Sequence, residues 1–436
     1  MIEPNTQTAA PPQKSFDTCL IGAGQNCFDA ALSKLRAGQH VAIIVPHDAN
    51  EILSEAQQRD FSFLDKETHI LHALYAAGEN ARALKRTKTL GLSINAPEPN
   101  IDWRGVKLAI QNTLERIAPY YAAERLRGLG AEIFFVADDE SDFDHIITAD
   151  DQIDLRAKSN QAQRTALHIE GLSAQYFEGI GDILNWPKLP AHLTIIGIGG
   201  AALSIAQALG SLGCNTAVIA PDKILPAGDT ELFKILYDSF EKNDKIRLIE
   251  GADIAHGEID KDTGKRIIHM LHLGAKRRIS SERVLLITEE NTQENAQKGV
   301  QGDRQESTAA TLTQPAIAEI GLNECAARER FGLGNFHLVK WRMQDSSFAL
   351  SQARSDGLLK LVAQTDGTLL GAGYCGENAA EVIALLSLAL EQNLKIQDLR
   401  TAPHTHNAQK TAVGYASLIH EAAQGYFDQV ISKLEA

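Results

Sequence analysis

The alternation of hydrophobic and polar residues along this chain predicts two strand–helix–strand units. In the first unit, an apolar run at 16–21 leads into Gly22, a helical pattern follows, and a second apolar run occupies 41–45. In the second unit, the β-branched run 194–196 ends at Gly197, a helical pattern continues, and the run 216–219 follows. This order is typical of doubly wound α/β domains of the Rossmann type, in which helices cover a parallel sheet.

The pattern changes after residue 311, where it predicts an α+β segment. Strands are expected at 336–343, 358–364 and 369–375, and helices at 379–391 and 411–434. The boundaries that follow are a disordered leader at 1–14, a first α/β domain at 15–185, a second at 186–290, a polar linker at 291–310 and an α+β domain at 311–436.

Further patterns within the first α/β domain predict helices and strands between the two glycine-rich turns. The stretches 56–74 and 106–126 are each predicted as one amphipathic helix. Strands are expected at 131–136 and 143–148, joined by the acidic hairpin turn 138–142. We interpret this acidic turn as a solvated edge and not as a metal site, so the sequence predicts no metal centre.

Small residues follow the first strand of each unit at the spacing of a dinucleotide-binding motif. The candidate cofactor-binding positions are Gly22, Gly24 and Cys27 in the first unit and Gly197, Gly199 and Ala202 in the second. Bare glycine backbone at a helix N-terminus can hold a pyrophosphate. Neither second strand ends in the acidic residue that would hold a ribose hydroxyl, since Val45 precedes a proline and Asp222 lies two positions late. Two alternatives therefore remain, a nucleotide site and a Rossmann unit that keeps its fold without binding a nucleotide tightly.

Composition and charge argue against a nucleic-acid-binding or membrane-spanning protein. The net charge of −14 over 436 residues argues against a nucleic-acid partner, and no apolar run approaches the ~20 residues that span a bilayer. The five cysteines have no CxxC spacing, which suits reduced thiols and predicts a cytoplasmic protein. Cys27 is expected to be a small packing residue and not a reactive thiol.

Short runs after the second glycine motif add a more specific pattern. They are Leu225-Pro226 followed by Asp229, QPAIAEIGL at 314–322 and DGLLKL at 356–361. Together with the two glycine motifs, this order resembles the class I pyridine nucleotide-disulfide oxidoreductases, the group of dihydrolipoyl dehydrogenase and mercuric reductase, over about nine-tenths of the chain. The resemblance implies an FAD-binding domain at 15–185, an NAD(P)-binding domain at 186–290, a dimerisation domain at 311–436, the cofactors FAD and NAD(P), and a homodimer.

The chain departs from this family at the positions that carry its chemistry. Arg59 and Leu64 stand where the family has its two redox cysteines, and neither can exchange a disulfide. The Gly-Asp that holds flavin in the family has only Gly302-Asp303 as a candidate. The resemblance makes His406 the acid–base residue, or His404 after a shift of one position, although Thr411 stands near the place of the orienting glutamate. An exposed turn that happens to hold two histidines is the alternative.

Two functions from different classes follow from these residues. One is a dimeric pseudoenzyme that acts as a binding or regulatory protein. The other is an oxidoreductase that uses FAD and NAD(P)H and passes electrons to a non-disulfide acceptor. We expect no tightly bound FAD in the isolated protein and no disulfide reductase activity. We also expect a persistent homodimer in which the apolar helix 379–390, with Ile383 and Leu386, is buried at the twofold axis and the two histidines lie near the partner's 59–64 segment.

Overall fold

The computed structural model describes most of the chain and divides it into two compact units. The described residues are 14–47, 54–87, 100–137, 147–155, 169–225, 228–243, 246–287, 309–346, 349–350, 356–401, 419 and 422–423. The first unit comprises Met1–Ile70 and Lys107–Ser159, and the second comprises Leu71–Val106 and Asn160–Ala436. Each unit is described by itself below.

The first unit contains a four-stranded parallel sheet. Its strands are β1 (Lys14–Ile21), β2 (Val41–His47), β3 (Glu132–Ala137) and β4 (Ile147–Asp154), in the order β3-β2-β1-β4. Helix α1 (Gln25–Arg36) connects β1 to β2 and buries Phe28 and Ala31. The predicted strand–helix–strand unit is therefore present, because the buried runs of β1 and β2 lie side by side under the apolar face of α1.

The helices between β2 and β3 are more broken than the sequence pattern predicted. The stretch predicted as one helix at 56–74 contains α2 (Glu55–Arg59) and the start of α3 (Lys66–Arg86). The stretch 106–126 contains the end of α4 (Trp103–Ile117), a 3₁₀ turn with a proline in its first turn and the start of α5 (Ala123–Gly128). These predictions were wrong because Ser62 and Ala122 form an antiparallel bridge, which requires extended backbone in both segments.

The predicted hairpin after β3 is also wrong, since β3 and β4 occupy opposite edges of the sheet and do not pair. The turn itself, 138–142, lies outside the described residues. The chain therefore passes from one edge strand, β3, to the other edge strand, β4, and the central strands β1 and β2 lie between them.

The second unit begins with a five-stranded parallel sheet in the order β5-β12-β6-β7-β8. Its strands are β5 (Phe177–Glu178), β6 (His192–Gly197), β7 (Asn215–Ile219), β8 (Ile246–Ile249) and β12 (Arg283–Ile287). Helix α6 (Gly199–Ser211) connects β6 to β7, and α7 (Thr230–Asn243) precedes β8. Because four central residues of β6 and four of β7 are buried, both read as continuous apolar runs, as parallel strands usually do.

A three-stranded antiparallel sheet lies between β8 and β12 in the sequence. It consists of β9 (Asp253–Ile259), β10 (Arg266–His272) and β11 (Ala275–Ser281). Of these three strands only β10 contains an apolar run, since β9 and β11 are mostly exposed and carry polar residues on both faces.

The C-terminal part of the second unit is an antiparallel sheet in the order β13-β14-β17-β16-β15. Its strands are β13 (Ala309–Ala310), β14 (Ala316–Gly321), β15 (His337–Arg342), β16 (Leu358–Ala363) and β17 (Leu369–Gly376). The accompanying helices are α8 (Glu324–Phe331), α9 (Ala379–Glu391) and α10 (Ile396–Thr401). The expected α+β segment is present, and the two α/β sheets with this domain give the fold class that the sequence predicted.

Helix α9 is buried within its own chain more than the sequence suggested. Ile383 and Leu386 are 1% and 0% exposed and belong to the core beneath the antiparallel sheet. An aspartate at either position would therefore disturb the core of the chain itself, so these residues do not test a dimer interface. The exposed large apolar residue of this helix is Leu388, which is 60% exposed.

Candidate functional site

The glycine-rich turn of the first unit is open to solvent at the carboxyl end of β1. The amide of Gly22 donates to the carbonyl of Ile44 at 2.9 Å, and a Cβ at Gly22 would lie 3.0 Å from the carbonyl oxygen of Leu155. Gly24 is the N-cap residue of α1, and a Cβ built there would meet no described atom within 4 Å. Packing therefore explains the glycine at 22 but not the one at 24. The exposed helix N-terminus at Gly24 fits an anionic group such as a pyrophosphate.

An aromatic cluster lies on the inner side of this turn. The ring of Phe28 lies 5.3 Å from that of Tyr121 and 6.0 Å from that of Phe63, measured between centroids. Gln25, the first residue of α1, donates its side-chain amide to the hydroxyl of Tyr121 at 2.9 Å. The first turn is thereby tied to the segment around Tyr121, which fixes the direction of α1 while its N-terminus stays exposed.

The segment 59–64 contains no group that could carry redox chemistry. Arg59 ends α2 with an exposed side chain, and its Nε lies 3.9 Å from the Asp60 carboxylate. Leu64 is 7% exposed. After Asp60 the backbone pairs with the neighbouring segment, since Ser62 forms a bridge with Ala122 and the amide of Phe63 donates to the carbonyl of Tyr121 at 2.9 Å. Arg59 and Leu64 are thus a surface cation and a core residue, joined by a segment that pairs with its neighbour.

The glycine-rich turn of the second unit is closed by the chain itself. The amide of Gly199 donates to the carbonyl of Ile224 at 2.7 Å, and Gly199 is buried. A Cβ at Gly197 would collide with the carbonyl oxygen of Ile287 on the adjacent strand β12. Ala202 is completely buried beneath the turn. Packing therefore explains Gly197 and Ala202, and the positive φ of 89° explains Gly199. The carbonyl of Ile224 occupies the Gly199 amide, which could otherwise face a pyrophosphate.

Hydrogen bonds hold Ile224 in this position. The carboxylate of Glu250 accepts the amide of Ile224 at 2.7 Å and the hydroxyl of Tyr237 at 2.5 Å. Burial and the adjacent carboxylate raise the pKa of Tyr237, so the hydroxyl stays a donor. Ala220 and Ile249 pair through their backbones, and buried Ala220 directly follows β7, where a ribose-binding acid would stand. The residues present therefore do not fit a dinucleotide in the second unit.

The most concentrated charges in the described part of the second unit surround Lys360. This residue lies in the fully buried strand β16, and its side chain is 4% exposed. Its Nζ donates to Asp229 Oδ2 at 2.5 Å, to Glu324 Oε2 at 2.7 Å and to Glu231 Oε2 at 3.2 Å. Burial works to lower the pKa of Lys360, but the hydrogen bonds to Asp229 and Glu324 outweigh it and raise the pKa above its usual value. Lys360 is therefore a permanent cation that joins the start of α7 to the antiparallel sheet.

A further carboxyl group, Glu319, lies beside this cluster. Both of its oxygens accept the amide of Asp229, at 3.1 and 3.2 Å. Burial raises the pKa of Glu319 to about 7, and the negative charge of Asp229 adds to the shift. The carboxyl group of Glu319 therefore titrates near neutral pH.

The five cysteines are free thiols, and all but Cys325 are buried. Burial raises the pKa of Cys27 to about 12 and that of Cys214 to about 12, and it raises the pKa of Cys375 further. A thiol with a raised pKa is a poor nucleophile and a poor metal ligand. Cys27 thus fills the third small position of the first motif as a core residue.

Several predicted site residues cannot be placed. His404, His406 and the pair at 302–303 lie outside the described residues. Among the residues described, no three His, Cys, Asp or Glu side chains come together to hold a metal ion. Across the same ranges, every helix is too short or too polar to span a bilayer.

Sequence reasoning missed two features of the site. Lys360 interrupts the apolar run LLKLVA, and a lysine in such a run indicates a buried cation with acidic partners. The hydrogen bond from Gly199 to Ile224, which closes the second glycine-rich turn, has no comparable signal in the sequence, because every residue type provides a backbone carbonyl.

Comparisons with known proteins agree with this architecture. Residues 192–270 match the family described as pyridine nucleotide-disulphide oxidoreductase, and residues 307–416 match the dimerisation domain of that family. Dihydrolipoyl dehydrogenase of Corynebacterium glutamicum is 22% identical over 96% of this chain and 99% of its own length. The enzymes of the same name from Haloferax volcanii and Bacillus subtilis are 33% and 32% identical, over 30% and 22% of this chain and 26% and 21% of theirs.

The two family matches cover strands β6, β7 and β8 of the parallel sheet and the whole antiparallel sheet at 309–376. The chain belongs to the class I pyridine nucleotide-disulfide oxidoreductase family.

Proposed function

We propose that this protein is a dimeric member of its family that has lost disulfide reductase chemistry and acts as a binding or regulatory protein. The observation that carries the proposal is the hydrogen bond from the amide of Gly199 to the carbonyl of Ile224. It occupies the backbone donor against which the pyrophosphate of NAD(P) would lie. Without a reduced pyridine nucleotide, the protein has no donor for the electrons that its relatives transfer.

The segment 59–64 supports the same proposal. A disulfide exchange requires two thiols that can reach each other, and here one position is an exposed arginine and the other a core leucine. Because Leu64 lies in the core and Phe63 pairs with Tyr121, restoring cysteines at 59 and 64 would not by itself create the geometry of a redox pair. We therefore expect no turnover of dihydrolipoamide, glutathione disulfide or mercuric ion.

A second function is favoured by the open turn of the first unit. Gly24 has space in front of it and begins an exposed helix N-terminus, so this turn fits the pyrophosphate of FAD. Flavin would supply hydride transfer without a dithiol, and an oxidoreductase with a non-disulfide acceptor would then remain. The ribose contact is missing, since Val45-Pro46 near the end of β2 provides no carboxylate. We therefore propose that FAD is not tightly bound in the isolated protein.

The visible absorption of the purified full-length protein separates the two functions. Our proposal requires a colourless protein that binds neither NADH nor NADPH in a calorimetric titration, with an active dihydrolipoyl dehydrogenase as positive control. Stoichiometric flavin, together with reduction of a quinone or dye by NAD(P)H, would contradict it and establish the second function. If flavin is bound, the Gly24→Ala variant should weaken the flavin signal, because its methyl group would fill the open space at the turn.

The domain boundaries and the histidines belong to this proposal as well. We assign 15–185 and 186–290 to the two nucleotide-binding-type domains and 311–436 to the dimerisation domain, with 291–310 as a linker after a leader at 1–14. Five free thiols suit a reducing compartment, and we propose a cytoplasmic location. His404 and His406 would act as acid and base only in the second function.

A further inference from the structure

A cavity of about 240 Å³ lies at the amino ends of strands β6 and β12. Its lining includes four basic residues, Lys188, Lys265, Arg266 and Arg283. The glycine-rich turn of this unit lies at the opposite, carboxyl end of β6, since Arg283 pairs beside Leu193 and Ile287 beside Gly197 in the parallel register. This basic cavity is therefore separate from the dinucleotide-type motif.

The two arginines are held in place by one shared carboxylate. Arg283 Nη1 donates to Glu178 Oε1 at 2.6 Å, and Arg266 Nη2 lies 3.7 Å from the same oxygen. Trp186 donates its indole N–H to the other oxygen of Glu178 at 2.5 Å. Arg266 also donates to the carbonyl of Glu282. Both guanidinium groups are thus fixed before any ligand arrives, which lowers the entropy cost of binding one.

The positive charge around the cavity exceeds the negative charge. Two carboxylates stand against the four basic residues: Glu282, which lines the cavity and accepts the backbone amide of Ala191 at 3.2 Å, and Glu178, which pairs with both arginines. Burial lowers the pKa of Arg266, and although Glu178 opposes this, the charge of Arg283 lowers it further. Two fixed guanidinium groups and two lysines at a small cavity attract an anion, even on a chain whose net charge is −14.

We propose that the basic cavity binds the phosphate group of a small phosphorylated ligand. A phosphate concentrates about two negative charges in one compact group, whereas a carboxylate carries one. Planar guanidinium groups donate in pairs to phosphate oxygens, and lysines add point charges around them. The volume of the cavity suits an inorganic anion or the phosphorylated end of a small metabolite, and it is smaller than a typical drug-sized pocket.

Calorimetric titration of the full-length protein with pyrophosphate and with inorganic phosphate tests the proposal. We expect saturable binding of one pyrophosphate per chain and weaker binding of phosphate. The double variant Lys188→Ala with Lys265→Ala should weaken pyrophosphate binding about tenfold or more, since two charge-assisted contacts are lost. The matched control is Lys261→Ala, an exposed lysine near the same β9–β10 turn that does not line the cavity, and it should bind as the unchanged protein does.

Two further measurements keep the test decisive. Arg283→Lys keeps the charge but removes the planar fork, so it should also weaken pyrophosphate binding, with thermal melting confirming that the variant is folded. Succinate should bind more weakly than pyrophosphate at the same ionic strength. Absence of saturable binding, equal loss in Lys261→Ala, unchanged binding in the double variant, or succinate binding as tight as that of pyrophosphate would each overturn the proposal.

Discussion

The ammonium group of Lys360 lies 2.5 Å from Asp229 Oδ2 in the interior of the second unit. Asp229 uses its other carboxylate oxygen to cap α7, accepting the amides of Glu231 and Leu232 at 2.9 and 3.3 Å. One buried cation thus supports the first turn of a helix that lies in the region 192–270, which matches the pyridine nucleotide-disulphide oxidoreductase family. It does so from a strand in the region similar to dimerisation domains.

Removing the charge of Lys360 should destabilise the protein strongly. In a Lys360→Met variant, Asp229 would stay 7% exposed and Glu324 22% exposed, without their shared cation. Loss of one partner of a buried ion pair costs about 3–5 kcal/mol, because an uncompensated charge remains in the interior. We expect urea unfolding at pH 7 to show a decrease in unfolding free energy of that order.

Lys340→Met is the matched control for this loss. Lys340 Nζ contacts Glu231 at 2.7 Å and Glu324 at 3.2 Å, but its side chain is 39% exposed. Solvent screens such a pair, so its removal should cost no more than about 1 kcal/mol. Equal losses in the two variants would contradict the assignment of Lys360 as the centre of the cluster.

The Glu319 carboxyl should make the stability of the protein fall as the pH rises from about 5 to 7. Its pKa is raised from 4.5 to about 7, so the folded state binds more protons than the unfolded chain in this window. The neutral amide of Glu319→Gln keeps an acceptor for Asp229 and removes this titration. We expect the variant to match the unchanged protein at pH 5 and to exceed it by on the order of 1–3 kcal/mol at pH 8.

Unfolding free energies of both proteins across this pH range measure the effect. Glu391→Gln, at an exposed glutamate at the end of α9, is the control for the replacement of a glutamate by glutamine. A constant difference between Glu319→Gln and the unchanged protein at all pH values would show that Glu319 does not titrate in this window.

The two glycine-rich turns should respond in opposite ways to an added methyl group. In Gly197→Ala the new Cβ would collide with the carbonyl of Ile287, so β6 and β12 would have to separate at the centre of their sheet. We expect a loss of about 2–4 kcal/mol, as for other overpacked core sites. Gly24→Ala places its Cβ in open space at φ −98°, which alanine adopts freely, and should cost no more than about 1 kcal/mol, because alanine is a poorer N-cap residue than glycine.

Differential scanning fluorimetry of the two variants is sufficient to compare them. A large loss in Gly24→Ala would mean that the first turn is filled by other parts of the chain. The open turn could then no longer support a flavin-dependent function.

Sequence patterns predicted the strands and helices that are buried on one face or completely. They failed where backbone contacts between distant segments determine the local structure. The apolar runs of β1, β6 and β16 and the helix at 379–391 have the predicted position because their hydrophobic periodicity is strong. The break at 60–65 depends on a bridge between Ser62 and Ala122, which no local pattern encodes. The glycine motifs predicted two turns of the correct shape. Only the position of Ile224 distinguishes the closed turn from the open one, and this contact depends on how the chain returns after β7.

Leu388 should stabilise the homodimer that we propose, in place of the residues that the sequence first indicated. Ile383 and Leu386 are enclosed by their own chain, whereas Leu388 is 60% exposed on the outer face of α9, within the region similar to a dimerisation domain. If this face meets its twofold copy, Leu388→Glu would bury two carboxylates without partners and raise the dimer dissociation constant by roughly tenfold or more.

The control is Leu273→Glu, since Leu273 is 88% exposed but lies outside that region. Sedimentation velocity over a dilution series should show dissociation of the Leu388 variant alone, while Ile383→Asp should lower the melting temperature. A monomeric unchanged protein, or equal dimer affinity in both leucine variants, would refute an interface on the outer face of α9.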